Sequence, residues 1–338
     1  MTAQTLAAIA KAMVAPGKGI LAADESSGTI KKRFDTIKLE STADNRRAYR
    51  ELLFTTPGAA DFISGVILFD ETMRQSTLDG TPFPKYLADH GMIPGIKVDA
   101  GAKALAGFPG ETITEGLDGL RERLKEYVSL GARFSKWRAV ITIGRDLPSD
   151  FCLTANAHAL ARYAALCQEA GIVPIVEPEV LMNADHSLSR CADVTAAMLD
   201  RTFEQLKAHR VDLGGMILKP NMVVPGENCP KQATVAEVAD ATIKCLKAHV
   251  PSAVPGIAFL SGGQSPEDAT EHLSAMNALG SLPWQLTFSY GRALQAPVLE
   301  AWGGKPDQKQ AGQAALLQRA RLNGLAHAGK YRRDMEAA

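Results

Sequence analysis

Several features that would assign a protein to a particular class are missing from this sequence of 338 residues. No apolar run has transmembrane length and the opening residues Met1 to Gln4 are polar, so we expect neither a membrane span nor a signal peptide. Basic and acidic residues number 37 each, which gives a formal net charge of zero. We therefore expect no binding of nucleic acid or of anionic membranes through a general positive field. A phosphorylated ligand would need a local cluster of cations.

Metal-binding and nucleotide-binding motifs are also missing. The five cysteines are widely spaced and form no C-x-x-C pair, which predicts free thiols in a reducing cytoplasm. The seven histidines form no H-x-H or H-E-x-x-H pattern, and no carboxylate cluster has calcium-loop spacing, so we expect no metal and no cofactor. No G-x-G-x-x-G or Walker A loop follows a strand, and there is no G-x-S-x-G.

What the sequence does contain is a regular alternation of short apolar strands and helical stretches. Continuous apolar runs are typical of strands buried on both faces of a parallel sheet. We predict strands at 20–24, 64–69, 95–99, 134–140, 173–179, 214–219, 256–263 and 284–292. Helical spacing or capping residues predict helices at about 3–13, 42–54, 116–130, 153–171, 191–209, 234–249, 266–278, 292–302 and 308–327.

Eight strand-then-helix units predict the α/β class and a (β/α)₈ TIM barrel with extra N- and C-terminal helices. A doubly wound sheet is the alternative, but the sequence lacks the glycine-rich loop that such folds carry after a strand. No linker or change of composition divides the chain. We therefore expect a single domain over residues 1–338, with a short charged tail at 329–338.

One predicted strand ends in a lysine that has catalytic potential. The run Met216-Ile217-Leu218 leads into Lys219, and Pro220 should stop the strand there. Desolvation disfavours the ammonium form of a buried lysine, and a neutral amine can attack a ketone to form a Schiff base. The plainer alternative is a lysine that closes the strand and extends its amine to water.

The ends of the other predicted strands carry further ionisable side chains. Barrel enzymes build their active sites at the carboxyl ends of the strands. The side chains at these ends are Asp24, Lys97, Lys136, Arg138, Glu177, Glu179 and Lys219. Residues two apart on a strand share a face, so Lys136 and Arg138 should point the same way, as should Glu177 and Glu179. Buried charges persist only when they are paired or functional, and we interpret this set as a catalytic site rather than as structural ion pairs.

The last two strands end in glycine-bearing segments, Ser261-Gly262-Gly263 and Ser289-Tyr290-Gly291-Arg292. Glycine lets backbone N–H groups approach an anion closely. Many barrels bind phosphate after strands seven and eight, and an arginine adds charge-assisted hydrogen bonds. The position of these two segments, at the ends of the seventh and eighth strands, predicts a phosphate site.

Taken together, these segments closely resemble class I fructose-bisphosphate aldolase. The shared motifs are GILAADES at 19–26, GVILF at 65–69, GIKVD at 95–99, KWR at 136–138, VPIVEPE at 173–179, LKPNM at 218–222, FLSGGQS at 259–265 and FSYGRALQ at 288–295. The resemblance runs from about residue 17 to about residue 331. It implies a (β/α)₈ barrel, usually a homotetramer, that uses a lysine Schiff base and no metal. Its substrate would be fructose 1,6-bisphosphate, cleaved reversibly to dihydroxyacetone phosphate and glyceraldehyde 3-phosphate in glycolysis and gluconeogenesis.

The resemblance also implies a role for each site residue. Lys219 would form the Schiff base beside Lys136, and Glu177 would be the general acid and base. Glu179 would be a hydrogen-bonding partner within the lysine–glutamate network, and Asp24 would take or orient the C4 hydroxyl proton. The C1 phosphate would bind at Ser261, Gly262, Ser289, Gly291 and Arg292, and the C6 phosphate at Ser26, Arg33, Lys97 and Arg138. Thr29 stands where the animal enzymes have serine.

One departure concerns the carboxyl end. The animal enzymes continue into a tail whose terminal tyrosine assists proton exchange on the enamine, whereas only seven residues without tyrosine follow Tyr331 here. Which group protonates the enamine is therefore left open. Three alternatives to a fructose-bisphosphate aldolase remain at this point: a related Schiff-base aldolase for another phosphorylated ketose, a non-catalytic scaffold, and a metal-dependent barrel enzyme. A scaffold should have lost a catalytic group, and none is lost here.

Overall fold

The structure, a computed structural model that describes residues 3–337, is organised around a closed barrel of eight parallel strands. The strands along the chain are β1 (Gly19–Ala23), β2 (Ile63–Leu68), β3 (Ile93–Lys97), β4 (Ala102–Ala104), β5 (Thr112–Thr114), β6 (Phe134–Ile141), β7 (Val173–Val180), β8 (Ile217–Leu218), β9 (Gly256–Phe259) and β10 (Gln285–Tyr290). Around the barrel their order is β1-β10-β9-β8-β7-β6-β3-β2, and β4 and β5 form a separate antiparallel pair. The predicted (β/α)₈ barrel is confirmed.

Helices surround the barrel and extend past it at both ends of the described chain. They are α1 (Ala3–Met13), α2 (Ser27–Thr36), α3 (Ala43–Phe54), α4 (Asp70–Met73), α5 (Phe83–Asp89), α6 (Leu120–Ser129), α7 (Asp150–Glu169), α8 (Leu188–Ala208), α9 (Val235–His249), α10 (Pro266–Ala278), α11 (Arg292–Trp302) and α12 (Lys309–His327). Short 3₁₀ turns lie at Ala59–Asp61, Leu213–Gly215, Pro306–Gln308 and Arg333–Ala337. None of the helices in the described range is long and apolar enough to cross a membrane.

Several predicted boundaries differ from those observed. The strand predicted over 214–219 is the two-residue β8, because Leu213–Gly215 turn as a 3₁₀ helix in which the Asp212 carboxylate accepts a hydrogen bond from Gly214 N. The strand predicted over 256–263 ends at Phe259. The sequence analysis did not predict α4, α5 or the β4–β5 pair, since these elements are too short to show a hydrophobic period.

Side chains inside the barrel alternate with side chains that face the helices. Ile20 and Ala22 belong to an inner cluster, whereas Leu21 and Ala23 pack in the outer core between strands and helices. The inner cluster also contains Phe134, and an added Cβ at Gly95 would lie 2.2 Å from that ring. Helix α1 packs its apolar face against the same inner cluster. Apolar groups thus fill the amino-terminal end of the barrel and leave the carboxyl end to the polar side chains.

Candidate active site

Four charged side chains form a continuous chain at the carboxyl end of the barrel. The Lys136 Nζ atom lies 2.8 Å from Asp24 Oδ2 and 3.4 Å from Glu177 Oε2. The other oxygen of Glu177, Oε1, lies 3.1 Å from the Nζ atom of Lys219. All four side chains are at most 12% exposed. The order Asp24–Lys136–Glu177–Lys219 alternates negative and positive groups, so every buried charge in it has an opposite partner.

The register of three neighbouring strands places these groups at one level. Strands β6 and β7 pair Arg138 with Glu177, and β7 pairs with β8 so that Ile175 lies opposite Ile217. Two residues further along, the Glu177 and Lys219 side chains meet. Between them, Lys219 N donates a hydrogen bond to the Val176 carbonyl at 2.8 Å. Parallel pairing, not a local motif, therefore fixes the distance between the lysine and its carboxylate.

Electrostatic interactions among these four groups keep Asp24 and Lys136 ionised. Burial by itself would raise the pKa of Asp24, but the ammonium groups of Lys136 and Lys219 hold it well below its usual range. Burial would likewise lower the pKa of Lys136, but Asp24 and Glu177 raise it well above the ordinary value. At neutral pH Asp24 is thus a carboxylate and Lys136 an ammonium ion.

Two further ion pairs lie beside this chain. Glu179 Oε2 accepts a hydrogen bond from Arg138 Nε, and Arg138 remains partly exposed. Glu179 is thus paired with an arginine, whereas the sequence analysis placed it within the lysine–glutamate network. On the neighbouring strand, Lys97 Nζ lies 2.7 Å from Asp99 Oδ1. Each cation expected to bind the C6 phosphate here already has a carboxylate partner, with which a phosphate would have to compete.

The segments after β9 and β10 form a turn and a helix start with free polar groups. Gly262 has a left-handed φ of 55°, which favours glycine. The Ser289 hydroxyl is buried without a hydrogen-bond partner, and α11 begins at Arg292 directly after Gly291. The Arg292 guanidinium donates to the Gly262 carbonyl at 2.5 Å and so links the two segments. An unsatisfied hydroxyl beside a helix N-terminus is suited to binding an anion.

The start of α2 supplies the opposite wall. Ser26 precedes this helix and its hydroxyl lies 3.1 Å from that of Thr29. Arg33 extends from α2 toward the segment after β10, where its Nη2 atom lies 3.5 Å from the position that a Cβ on Gly291 would occupy. Arg33 is therefore close to the expected C1 phosphate site as well as to Ser26.

A single cavity of about 630 Å³ brings together every residue that the sequence analysis assigned to the site. Those residues are Asp24, Ser26, Arg33, Lys97, Lys136, Arg138, Glu177, Glu179, Lys219, Ser261, Gly262, Ser289, Gly291 and Arg292. Among the described side chains, no group of three or more His, Cys, Asp or Glu is placed to hold a metal ion.

The cavity also contains residues that sequence reasoning did not assign. Glu25, Lys32 and Asp99 line it. Asp99 follows Lys97 by two positions, the spacing that had marked Arg138 and Glu179, so it was open to the same argument. Glu25 follows Asp24 directly and should have faced away on a regular strand, but β1 ends at Ala23 and the alternation ends with it.

Tyr331 lies outside the cavity. Its hydroxyl donates to Glu336 Oε1 at 2.7 Å, and its carbonyl accepts a hydrogen bond from the Ser274 hydroxyl on α10. Tyr331 is only 5% exposed. In this conformation it packs against the outer helices and does not reach the carboxyl end of the barrel.

Comparison with known proteins identifies the family to which this arrangement corresponds. The model of the family described as fructose-bisphosphate aldolase class-I matches residues 5–338. A probable fructose-bisphosphate aldolase class 1 of Xanthomonas campestris pv. campestris is 59% identical over 333 residues, covering 98% of this chain and 100% of the relative. Fructose-bisphosphate aldolase 1 of Toxoplasma gondii is 53% identical over 331 residues, covering 97% of this chain and 91% of that protein.

A solved structure agrees with these matches. The fructose-bisphosphate aldolase of Plasmodium falciparum, crystallised in complex with TRAP and a small-molecule inhibitor, superimposes with a TM-score of 0.96 at 50% identity. The alignment covers 97% of this chain and 95% of that one.

Proposed function

This chain belongs to the class I fructose-bisphosphate aldolase family, and on that premise we propose which of its residues performs each step of the reaction. The reaction is the reversible cleavage of fructose 1,6-bisphosphate to dihydroxyacetone phosphate and glyceraldehyde 3-phosphate through a lysine Schiff base. The observation that carries the proposal is the buried Lys219 amine, 3.1 Å from the Glu177 carboxylate at the carboxyl end of the barrel.

Lys219 attacks the C2 ketone of the substrate, and Glu177 transfers protons as general acid and base. Glu177 first takes a proton from the Lys219 ammonium, 3.1 Å away, and the neutral amine then adds to the carbonyl carbon and forms a carbinolamine. Glu177 then donates a proton to the C2 hydroxyl, which leaves as water and gives the iminium ion. A carboxyl within hydrogen-bonding distance of the amine meets the geometric requirement for this role.

Asp24 and Lys136 act in the cleavage of the carbon–carbon bond. Asp24 accepts the proton of the C4 hydroxyl as the C3–C4 bond breaks, and the bonding electrons move into the iminium to form an enamine. Because Lys136 and Lys219 keep Asp24 ionised, the acceptor is present at neutral pH. Lys136 holds both Asp24 and Glu177 in place, at 2.8 and 3.4 Å, and it keeps a positive charge beside the reacting centre.

The two phosphates bind at two sets of residues in the same cavity. The C1 phosphate lies against Ser261, Gly262, Ser289, Gly291 and Arg292, where the glycines let backbone N–H groups approach it and the Ser289 hydroxyl has no other partner. The C6 phosphate is bound by Ser26, Arg33, Lys97 and Arg138. A phosphate carries more negative charge than the carboxylate that each of these cations now contacts, which favours exchange of the carboxylate partners for the substrate.

We propose that the chain forms one domain and assembles as a homotetramer in the cytoplasm. The family resemblance supports the assembly, and relatives such as fructose-bisphosphate aldolase 4 of Arabidopsis thaliana, which is named cytosolic and is 53% identical, support the location. Light scattering should give four times the 36.1 kDa mass of the chain. A mass of one or two chains would contradict the tetramer.

Borohydride trapping tests the assignment of Lys219. The protein is incubated with fructose 1,6-bisphosphate, reduced, and analysed by intact mass and peptide mapping. We expect a single triose-phosphate adduct on Lys219, absent from Lys219→Ala. The matched control is Lys97→Ala, which removes another lysine of the cavity and should still be trapped. An adduct on Lys136 or Lys97 would overturn the assignment while preserving the Schiff-base reaction.

A further inference from the structure

Glu25, next to Asp24, is shared between two arginines that lie on different sides of it. Arg33 pairs through Nη1 with Glu25 Oε1 and lines the cavity, and its side chain is 22% exposed. Arg50, on α3, lies behind Glu25 with its Nη1 atom 2.5 Å from Oε2, and its side chain is only 3% exposed. One carboxylate therefore has one guanidinium at the cavity and one in the protein interior.

The carboxylate is held so that it cannot turn toward one arginine alone. Gln295, which is fully buried, donates from Nε2 to Glu25 Oε1 at 2.8 Å and to the Ala22 carbonyl at 2.7 Å. The Gln295 carbonyl accepts a hydrogen bond from the buried Tyr49 hydroxyl at 2.9 Å. Each oxygen of Glu25 thus keeps a fixed direction, Oε1 toward Arg33 and Oε2 toward Arg50.

The charge of this group decides how attractive the cavity wall is to an anion. Two guanidinium groups and one carboxylate give a net charge of +1, and Arg33 and Glu25 line the cavity whereas Arg50 does not. Without Arg50 the remaining pair would be neutral. A buried arginine costs desolvation energy that its ion pair seldom returns in full, so stability alone does not account for Arg50.

We propose that Arg50 is a positioning residue for the substrate phosphates: it neutralises Glu25 from the interior and thereby leaves the charge of Arg33 available at the cavity. The inference rests on the proposed role of Arg33 in phosphate binding. Arg50 itself touches no substrate. It acts through Glu25, on which both arginines converge.

A double-mutant cycle between Arg50 and Glu25 tests the proposal, because charge balance predicts an unusual pattern. Arg50→Met should raise KM for fructose 1,6-bisphosphate about tenfold, on the order of one charged hydrogen bond, with kcat changed less than threefold. Glu25→Gln should leave KM unchanged or lower it, since Arg33 then has no competing carboxylate. The double variant restores a net charge of +1, so its KM should return to within about threefold of the unmodified protein.

Three further measurements separate positioning from simple structural support. Arg50→Lys keeps the charge and should retain most of the affinity. The inhibition constant of inorganic phosphate should follow KM through the cycle. KM values for fructose 1-phosphate show which phosphate Arg50 affects. If Arg50→Met raises KM equally for both substrates, the effect lies at the C1 end. If KM for fructose 1-phosphate does not change, the effect lies at the C6 end. Circular dichroism of each variant reports whether it is folded.

Two outcomes would overturn the proposal. If the double variant binds as weakly as Arg50→Met or more weakly, Glu25 is not the intermediary. If Glu25→Gln raises KM, the carboxylate supports Arg33 instead of competing for it; this variant decides the question even where Arg50→Met does not fold. The proposed role of Arg33 is tested separately by Arg33→Met. An unchanged KM in that variant would remove the premise, whereas a raised KM with an additive cycle would refute only the role of Arg50.

Discussion

Replacement of Lys136 by methionine is the most direct test of the alternating charge chain. At 2.8 Å and an effective dielectric constant of about 20, the Lys136–Asp24 pair attracts by about 6 kcal/mol before desolvation is counted. Removing one partner of a buried pair typically costs about 3–5 kcal/mol, because the remaining charge stays buried. Both side chains are at most 12% exposed, so solvent screens the pair little. We expect Lys136→Met to lose stability in that range at pH 7.

The pH dependence of this loss has a definite sign. The pKa of Asp24 is lowered in the folded protein, so its contribution to stability is present above the unfolded value near 3.8 and is lost as the pH falls toward the folded value. The pKa of Lys136 is raised, so its contribution is present below 10.5 and is lost as the pH rises through the folded value. The stability difference between the two proteins should therefore be full from about pH 4 to about pH 10.5 and should narrow outside that window.

The Lys136→Met substitution should also change the rate of cleavage and its pH dependence. Without Lys136 the pKa of Asp24 rises, so the acid limb of the kcat/KM profile for cleavage should move to higher pH, and kcat should fall about 10²- to 10⁴-fold. Urea unfolding at pH 7 and pH 3, with cleavage rates from pH 5 to 9, measures both effects. Lys97→Met, which removes a lysine paired with Asp99 instead, is the matched control and should raise KM more than it lowers kcat. An unfolding free energy within 1 kcal/mol of the unmodified protein, or an unmoved acid limb, would refute the reasoning.

Three further substitutions test the scaffold, each by urea unfolding. Gly28→Ala in α2 meets no atom within 4 Å and should stabilise the protein by about 0.5–1 kcal/mol; a loss of stability would contradict the helix assignment. Gly226→Ala would place a Cβ 2.1 Å from the Ala184 carbonyl oxygen and should cost about 1–3 kcal/mol or more, whereas a neutral result would mean that the two loops move freely. Thr234→Ala removes the capping box that Thr234 forms with Glu237 at the start of α9 and should cost about 1 kcal/mol with kcat unchanged; a change in kcat would tie this helix to the site.

Much of the fold was predictable because barrel strands leave a strong local signal. Strand β7, buried along its whole length, is one continuous apolar run up to Glu177, and its prediction over 173–179 falls one residue short of the observed end. The weak elements were those without such a signal. The β4–β5 pair has three residues on each strand, and β8 is short because a 3₁₀ turn uses the residues before it. Tertiary packing, not propensity, decided these bounds.

The list of residues at the site follows from sequence order, but the partners within it do not. In a parallel barrel all carboxyl ends of the strands lie on one side, so Asp24, Glu177 and Lys219 had to share a cavity once the strands were recognised. Strand spacing does not say which carboxylate meets which cation. The pairing of Glu179 with Arg138 depends on the register between β6 and β7 and on side-chain direction, which no pattern along the chain encodes.

The sequence by itself determined the order of strands and helices, the chemical groups at the strand ends and the family. Only the tertiary structure decided the environment of Glu25, whose neighbour Gln295 is 270 residues away along the chain. That contact exists because β1 and β10 pair and close the barrel, which brings the first and the last strand together. Closure is a property of the whole sheet, since it requires all eight strands in register. For this reason the shared carboxylate of Glu25 and the buried charge of Arg50 became visible only in the folded protein.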